Sequence, residues 1–244
     1  MGYMRAVGRM LGVLAHILAG VLVVWRVFPQ LSPAQRDARA QQWALAMLRH
    51  LGISLQVQGA RPAHGPLLLV ANHVSWLDIV VLHAAGHCRF ISKSDVRDWP
   101  LVGVLARAAG TLFIERASRR DAMRVVHQMA ACLQAGDVLA VFPEGTTGDG
   151  SGVLPFHGNL LQAAIAVHAP ALPVALQFID RLSGQRSYAP CYIGDDTLVQ
   201  SLWRTLRARN LQAVVQFGQP QRHDGRERRV WAEDLRTTII AMRG

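Results

Sequence analysis

From Ile53 onward, short apolar runs alternate with helix-length stretches, and this alternation restricts the fold more than any other feature of the chain. Ile53–Val57, Leu67–Ala71, Thr111–Ile114, Val138–Phe142 and Leu172–Phe178 read as strands. Val74–Ala85, Leu101–Ala109, Arg119–Gln134 and Leu160–His168 read as helices, and a last helix is expected near Val230–Met242. Such alternation predicts an α/β fold, a largely parallel sheet covered by helices on both sides. No internal repeat or low-complexity tract divides residues 51–244, which read as one domain, with the Gly/Asp/Ser loop 145–152 as an excursion within it.

Residues 1–50 have a different texture. Arg5 and Arg9 precede Met10–Trp25, which is apolar or small except for His16; Arg26 and Pro29 follow. The run is short for a full span of ~20 residues. It carries the positive flank of a signal peptide but no small-x-small cleavage site close behind, so a retained anchor is expected, dipping into one leaflet or barely spanning it. Ser32-Pro33-Ala34-Gln35 then reads as an N-cap with Pro at N1 and Gln at N3, starting a helix that runs to about Arg49 with Gly52 past its end. Trp43, Met47 and Leu48 give this helix an apolar stripe, and Arg36, Arg39 and Arg49 its cations. Together the two segments predict a membrane-associated helical hairpin.

The formal net charge of +10 suits an anionic partner. Basic runs interleaved with aromatics are absent, so a membrane surface or an acidic substrate is expected and nucleic acid is not. Cys88, Cys132 and Cys191 have no paired spacing, which predicts neither a disulfide framework nor a zinc site.

In an open α/β sheet, ligands bind beyond the carboxyl ends of the strands. Unusual polar groups stand at these ends: His73 after LLLVAN, Glu115-Arg116 after TLFI, and Pro143-Glu144-Gly145-Thr146 after VLAVF. A base, a cation and a carboxylate thus converge on one crevice. His73 and Asp78 cannot share a face of a regular helix, since five residues rotate by about 500°. They meet only if the chain turns between them. A carboxylate on one ring nitrogen then holds the imidazole in one tautomer as a general base.

These residues carry a family resemblance. His73-Val-Ser-Trp-Leu-Asp78 resembles the H-x4-D motif of the glycerolipid acyltransferases, the family of bacterial 1-acylglycerol-3-phosphate acyltransferases. Gly110-Thr-Leu-Phe-Ile-Glu-Arg116 is similar to their G-x-x-F-I-x-R motif, Phe142-Pro-Glu-Gly-Thr146 to F-P-E-G-T, and Leu172-Pro-Val174 to the apolar V-P-V. The resemblance implies transfer of a fatty acyl group from an acyl thioester, acyl carrier protein or coenzyme A, to a lysolipid hydroxyl. It implies 1-acyl-sn-glycerol-3-phosphate as acceptor, giving phosphatidic acid. It also implies an inner-membrane enzyme with its active site facing the cytoplasm, and no cofactor. His73 is then the base and Asp78 its orienting partner. Arg116 and Lys93 are candidates for an anionic headgroup or the donor's phosphate, and the resemblance places Glu144, Gly145 and Thr146 in acceptor binding. The family commonly has Arg after F-P-E-G-T, where this chain has Thr147. That departure resembles the lyso-ornithine lipid acyltransferases, whose acceptor lacks the phosphate, and makes lyso-ornithine lipid the alternative acceptor. His157 joins Lys93 as a cation that could stand in for the missing Arg.

Two rival readings remain open at this level. His73, Asp78, His83 and His87 have the spacing H-x4-D-x4-H-x3-H, although Gly86 points to a helix end between the last two. No metal is expected. A non-catalytic membrane-binding protein would explain the charge and the N-terminus but not Glu144 or the His–Asp pair. Ser75 has no G-x-S-x-G surroundings and reads as a helix-start residue rather than a nucleophile.

Overall fold

The computed structural model describes residues 2–114 and 119–243. A hairpin of two helices comes first, α1 (Gly2–Arg26) and α2 (Pro33–Leu51). There follow β1 (Ser54–Gln58), β2 (Leu67–Ala71), α3 (Leu77–Ala85), β3 (Arg89–Lys93), α4 (Val102–Ala108), β4 (Leu112–Ile114), α5 (Arg119–Gln134), β5 (Val138–Val141), α6 (Leu161–Ala166), β6 (Ala171–Asp180), α7 (Leu198–Arg207), β7 (Leu211–Phe217) and α8 (Arg228–Met242).

The strands form one sheet in the order β1-β7-β6-β2-β5-β3-β4. Every pairing is parallel except β6 with β7. Five strands, β2 to β6, therefore point their carboxyl ends at one edge. The Leu67–Ala71 run is buried throughout and serves both faces. Leu67, Leu69 and Ala71 pack with Met47, Leu48 and Leu51 of α2 and Leu77, Val81 and Leu82 of α3. Leu68 and Val70 pack with Met129 and Leu133 of α5, Leu161 of α6, and Trp231, Leu235 and Ile239 of α8. Burial on both faces is why this strand reads as a continuous apolar run.

The start of α2 follows the sequence closely. Gln35 N–H donates to Ser32 Oγ at 3.3 Å and Ser32 N–H to Gln35 Oε1 at 2.9 Å, a reciprocal cap with Pro33 at the first turn. Gly52 ends the helix at φ 73°, a left-handed backbone that favours glycine, and a Cβ there would lie 2.0 Å from Arg9 Nη2 and displace that guanidinium.

The first helix is longer than the expected Met10–Trp25, and one side of it packs on the domain. Arg9 Nη1 donates to the carbonyls of Leu206 and Ala208, both at 2.9 Å, at the carboxyl end of α7. Further along, His16 bonds Trp43 O at 3.0 Å and stacks on the Trp43 ring. Gly20 lies against Trp43 of α2 and Leu105 of α4. Arg9, His16 and Gly20 thus face the domain together with the buried Ala6, Val13 and Val21 and the half-buried Met10 and Ile17, while Met4, Val7, Leu11, Leu14, Leu18, Leu22 and Trp25 point outward. α1 is long and apolar enough to cross a membrane by length and composition.

Three elements escaped the sequence reading. β3 is short and bounded by Arg89 and Lys93; β7 is broken up by Gln212 and Gln216; α7 sits in the otherwise polar stretch between β6 and β7. A fourth difference bears on function: α3 begins at Leu77, not Val74, because residues 73–76 turn around the Asp78 carboxylate instead of joining the helix.

Candidate active site

That turn brings His73 and Asp78 together. Asp78 Oδ2 lies 2.8 Å from His73 Nδ1 and also accepts the backbone N–H groups of Val74 at 2.6 Å and Ser75 at 2.9 Å. One carboxylate oxygen therefore shapes the turn and orients the ring. Asp78 is fully buried at the start of α3, and its other oxygen has no hydrogen-bond partner among the described residues. Since an ionised carboxylate only accepts, Nδ1 carries the proton and Nε2 presents its lone pair. The His73 side chain is 18% exposed, enough for a substrate to reach it.

Packing fixes the plane of the ring. Phe142, at the end of β5, stacks on His73 with centroids 4.0 Å apart and planes 10° from parallel. Phe90 of β3 backs Phe142 at 5.8 Å, and His83 meets the edge of Phe90 at 5.0 Å. Phe142 belongs to the FPEGT run without a role assigned from sequence; the signal for it is an aromatic at the end of the strand next to the histidine. Asn72 was also passed over. Its side chain accepts from Leu176 N–H at 2.7 Å and donates to Leu176 O at 3.0 Å, carrying the β2–β6 pairing past the end of β2.

The F-P-E-G-T segment lies directly beside His73. Glu144 is buried; Oε1 accepts His73 N–H at 2.6 Å and Oε2 accepts Leu154 N–H at 2.7 Å. Burial holds this carboxyl above the usual carboxylate range, and the two N–H bonds offset only part of that rise. Gly145 and Thr146 are exposed, and a Cβ on Gly145 would touch the exposed His157 ring at 3.4 Å. The Thr147 hydroxyl donates to Tyr192 O, which commits its one proton to a neighbouring loop. Lys93 closes β3, in register with Ile114 of β4, so its backbone is at the same sheet edge; its side chain lies outside the described residues, as does the whole of Arg116.

The remaining candidates go elsewhere. Ser75 is fully buried and donates its hydroxyl to Pro190 O at 2.5 Å while accepting Leu77 N–H at 3.2 Å, the environment of a helix-start residue. His83 and His87 stack on each other at 5.2 Å, and His87 faces Asp37 of α2 at 3.2 Å. Burial pushes the His83 imidazole down to about 3. Among the described residues, no three His, Cys, Asp or Glu side chains group as a metal site.

Residues 54–177 match the family model described as Acyltransferase. The chain is 38% identical over 202 residues to the lyso-ornithine lipid O-acyltransferase of Pseudomonas aeruginosa, covering 82% of this chain and 77% of that one. It is equally 38% identical over 186 residues to the 1-acyl-sn-glycerol-3-phosphate acyltransferase of Neisseria meningitidis, covering 76% and 72%. The crystal structure of the 1-acyl-sn-glycerophosphate acyltransferase PlsC from Thermotoga maritima superposes with a TM-score of 0.70 at 20% identity, over 99% of this chain and 97% of that one, and shares the fold.

Proposed function

The chain belongs to the acyltransferase family, and from that premise we propose that it acylates the free hydroxyl of a lysolipid with a thioester donor, using His73 as general base and Asp78 to orient it. The observation that carries the assignment is the 2.8 Å contact between His73 Nδ1 and Asp78 Oδ2, which makes Nε2 the proton acceptor. The acceptor hydroxyl gives its proton to Nε2 as its oxygen attacks the thioester carbonyl. The C–O bond forms, the C–S bond breaks, and the leaving thiolate takes the proton back from the imidazolium. Buried Asp78 stabilises that imidazolium. No covalent enzyme intermediate is needed, because the thioester already has a good leaving group.

Lysophosphatidic acid and lyso-ornithine lipid are both acceptors in this reading, supported by relatives of each kind at equal identity. Gly145, Thr146 and His157 serve acceptor binding in this reading, supported by their exposure next to the buried Glu144. Lys93 and Arg116 are the cations for a headgroup or for the phosphate of acyl carrier protein or coenzyme A. Residues 1–50 act as a membrane-docking hairpin and 51–244 as the catalytic domain. The two-sided packing of α1 supports docking on one leaflet rather than crossing: Arg9, Val13 and His16 face its own domain, while Leu11, Leu14, Leu18 and Leu22 form an exposed apolar stripe on the other side. The enzyme works at the cytoplasmic face of the inner membrane.

The test is turnover by the purified full chain with both lysolipids side by side, each with acyl-acyl carrier protein and acyl-coenzyme A. His73→Ala should lose roughly 10²- to 10⁴-fold in kcat, the usual contribution of a general base. Wild-type turnover by a folded His73→Ala protein eliminates the mechanism.

A further inference from the structure

We propose that Glu144 is a positioning residue for His73 rather than a ligand of the acceptor, and that α8 holds it in place through Arg236 and Arg243. The proposal rests on His73 being the base.

Both faces of the Glu144 carboxylate are occupied within the protein. One oxygen takes the backbone N–H of His73 and the other that of Leu154, at 2.6 and 2.7 Å. Short bonds of this kind to an ionised acceptor are the stronger class. Glu144 as a residue is 5% exposed, leaving little surface for a headgroup. Two donors on opposite sides need two acceptors, which glutamate supplies and glutamine does not. The carbonyl of His73 is held as well, by Gly148 N–H at 2.9 Å. The backbone of the base is thus pinned on both sides by one loop, residues 144–154.

That loop has no regular structure of its own, and the carboxyl-terminal helix holds it. Arg236 Nε donates to Val153 O at 3.0 Å and to Leu154 O at 3.1 Å, and its Nη2 to Val153 O at 2.9 Å. Glu233, one turn earlier on α8, holds the same guanidinium at 2.8 Å. Arg243 Nη1 donates to Gly152 O at 2.6 Å and its Nη2 to Gly150 O. Gln177 of β6 donates to Arg243 O at 2.7 Å, tying the tail to the sheet. Leu154 is the junction, with its carbonyl on Arg236 and its N–H on Glu144. An unbroken path of bonds therefore runs from α8 through Leu154 and Glu144 to His73. A displacement of about 1 Å at a reacting group costs on the order of 10²-fold in rate, so this path bears on turnover although α8 supplies nothing to the crevice in this proposal.

The experiment compares Arg236→Met, Arg236→Lys and Glu144→Gln in the full chain, measuring kcat, KM for acceptor and donor, and thermal midpoint, with His73→Ala alongside. Arg236→Met and Glu144→Gln should lower kcat by roughly ten- to a hundredfold with acceptor KM within about twofold of wild type. Arg236→Lys, keeping the charge and a donor, should recover most of the loss. A fold-supporting role alone would lower the midpoint and leave kcat per folded molecule unchanged; that result in Arg236→Met overturns the role of α8. A raised acceptor KM with kcat retained in Glu144→Gln makes Glu144 an acceptor ligand and overturns the proposal. Wild-type turnover by His73→Ala instead removes the base itself, an outcome separate from either.

Discussion

Replacing Leu11, Leu14, Leu18 and Leu22 together by glutamine should detach the enzyme from vesicles without unfolding it. These side chains lie on the outer face of α1 and are 49–63% exposed, so about half of each still has solvation free energy to gain from lipid. Full burial of a leucine stabilises by about 2 kcal/mol. Half of that is about 1 kcal/mol per residue and about 4 kcal/mol for the four. At 1.4 kcal/mol per tenfold, the partition coefficient should fall by roughly 10³. Glutamine is a good helix former, and the inward contacts of Arg9, His16 and Gly20 are untouched. The thermal midpoint should therefore stay within a few degrees, and turnover on micellar lysolipid should persist. The assay is sedimentation with vesicles containing an anionic phospholipid, titrated in lipid concentration, with uncharged vesicles as control. If the variant sediments at the same lipid concentration as wild type, the outer stripe of α1 is not the membrane surface.

Other outcomes follow from single contacts. Asp78→Asn should cost roughly 10²- to 10⁴-fold in kcat, since the amide keeps the volume but loses the charge that stabilises the imidazolium; unchanged kcat in a folded variant removes Asp78 from the mechanism. Thr147→Val should cost about 1 kcal/mol in urea unfolding and leave the ratio of kcat/KM for lysophosphatidic acid and lyso-ornithine lipid unchanged, because the lost hydroxyl serves Tyr192 O; a shifted ratio places it on the headgroup. His83 is neutral in the folded protein down to about 3, while the unfolded chain takes its proton near 6.5. In that window the unfolded state binds more protons, so stability should fall by about 1.4 kcal/mol for each pH unit below about 6.5. Urea unfolding of wild type and His83→Leu between pH 7.5 and 5 should diverge with that slope; parallel curves refute the buried neutral histidine.

Sequence alone determined the parts of this protein that are local. The capping box at Ser32 and Gln35, the glycine stop at Gly52 and the uninterrupted LLLVA strand depend on neighbours within a few residues, so their chemistry is legible in order along the chain. The His73–Asp78 pair was legible only in part: five residues off helical register meant that the two could meet only across a turn, and that turn displaces the start of α3 from the expected Val74 to Leu77. Only the tertiary structure decided which way side chains face and what they bond. An apolar run with scattered polar residues does not reveal that Arg9 and His16 point inward and the leucines outward; α2, α4 and α7 impose that. Nor does FPEGT reveal that Glu144 is filled by two backbone N–H groups, or that Arg236 and Arg243 hold the loop beside it. Those partners are 71 residues from Glu144 at His73 and 83 from Arg236 at Val153. A hydrogen bond acts over about 3 Å in space, and only the sheet and the helices packed on it bring such distant residues within that reach.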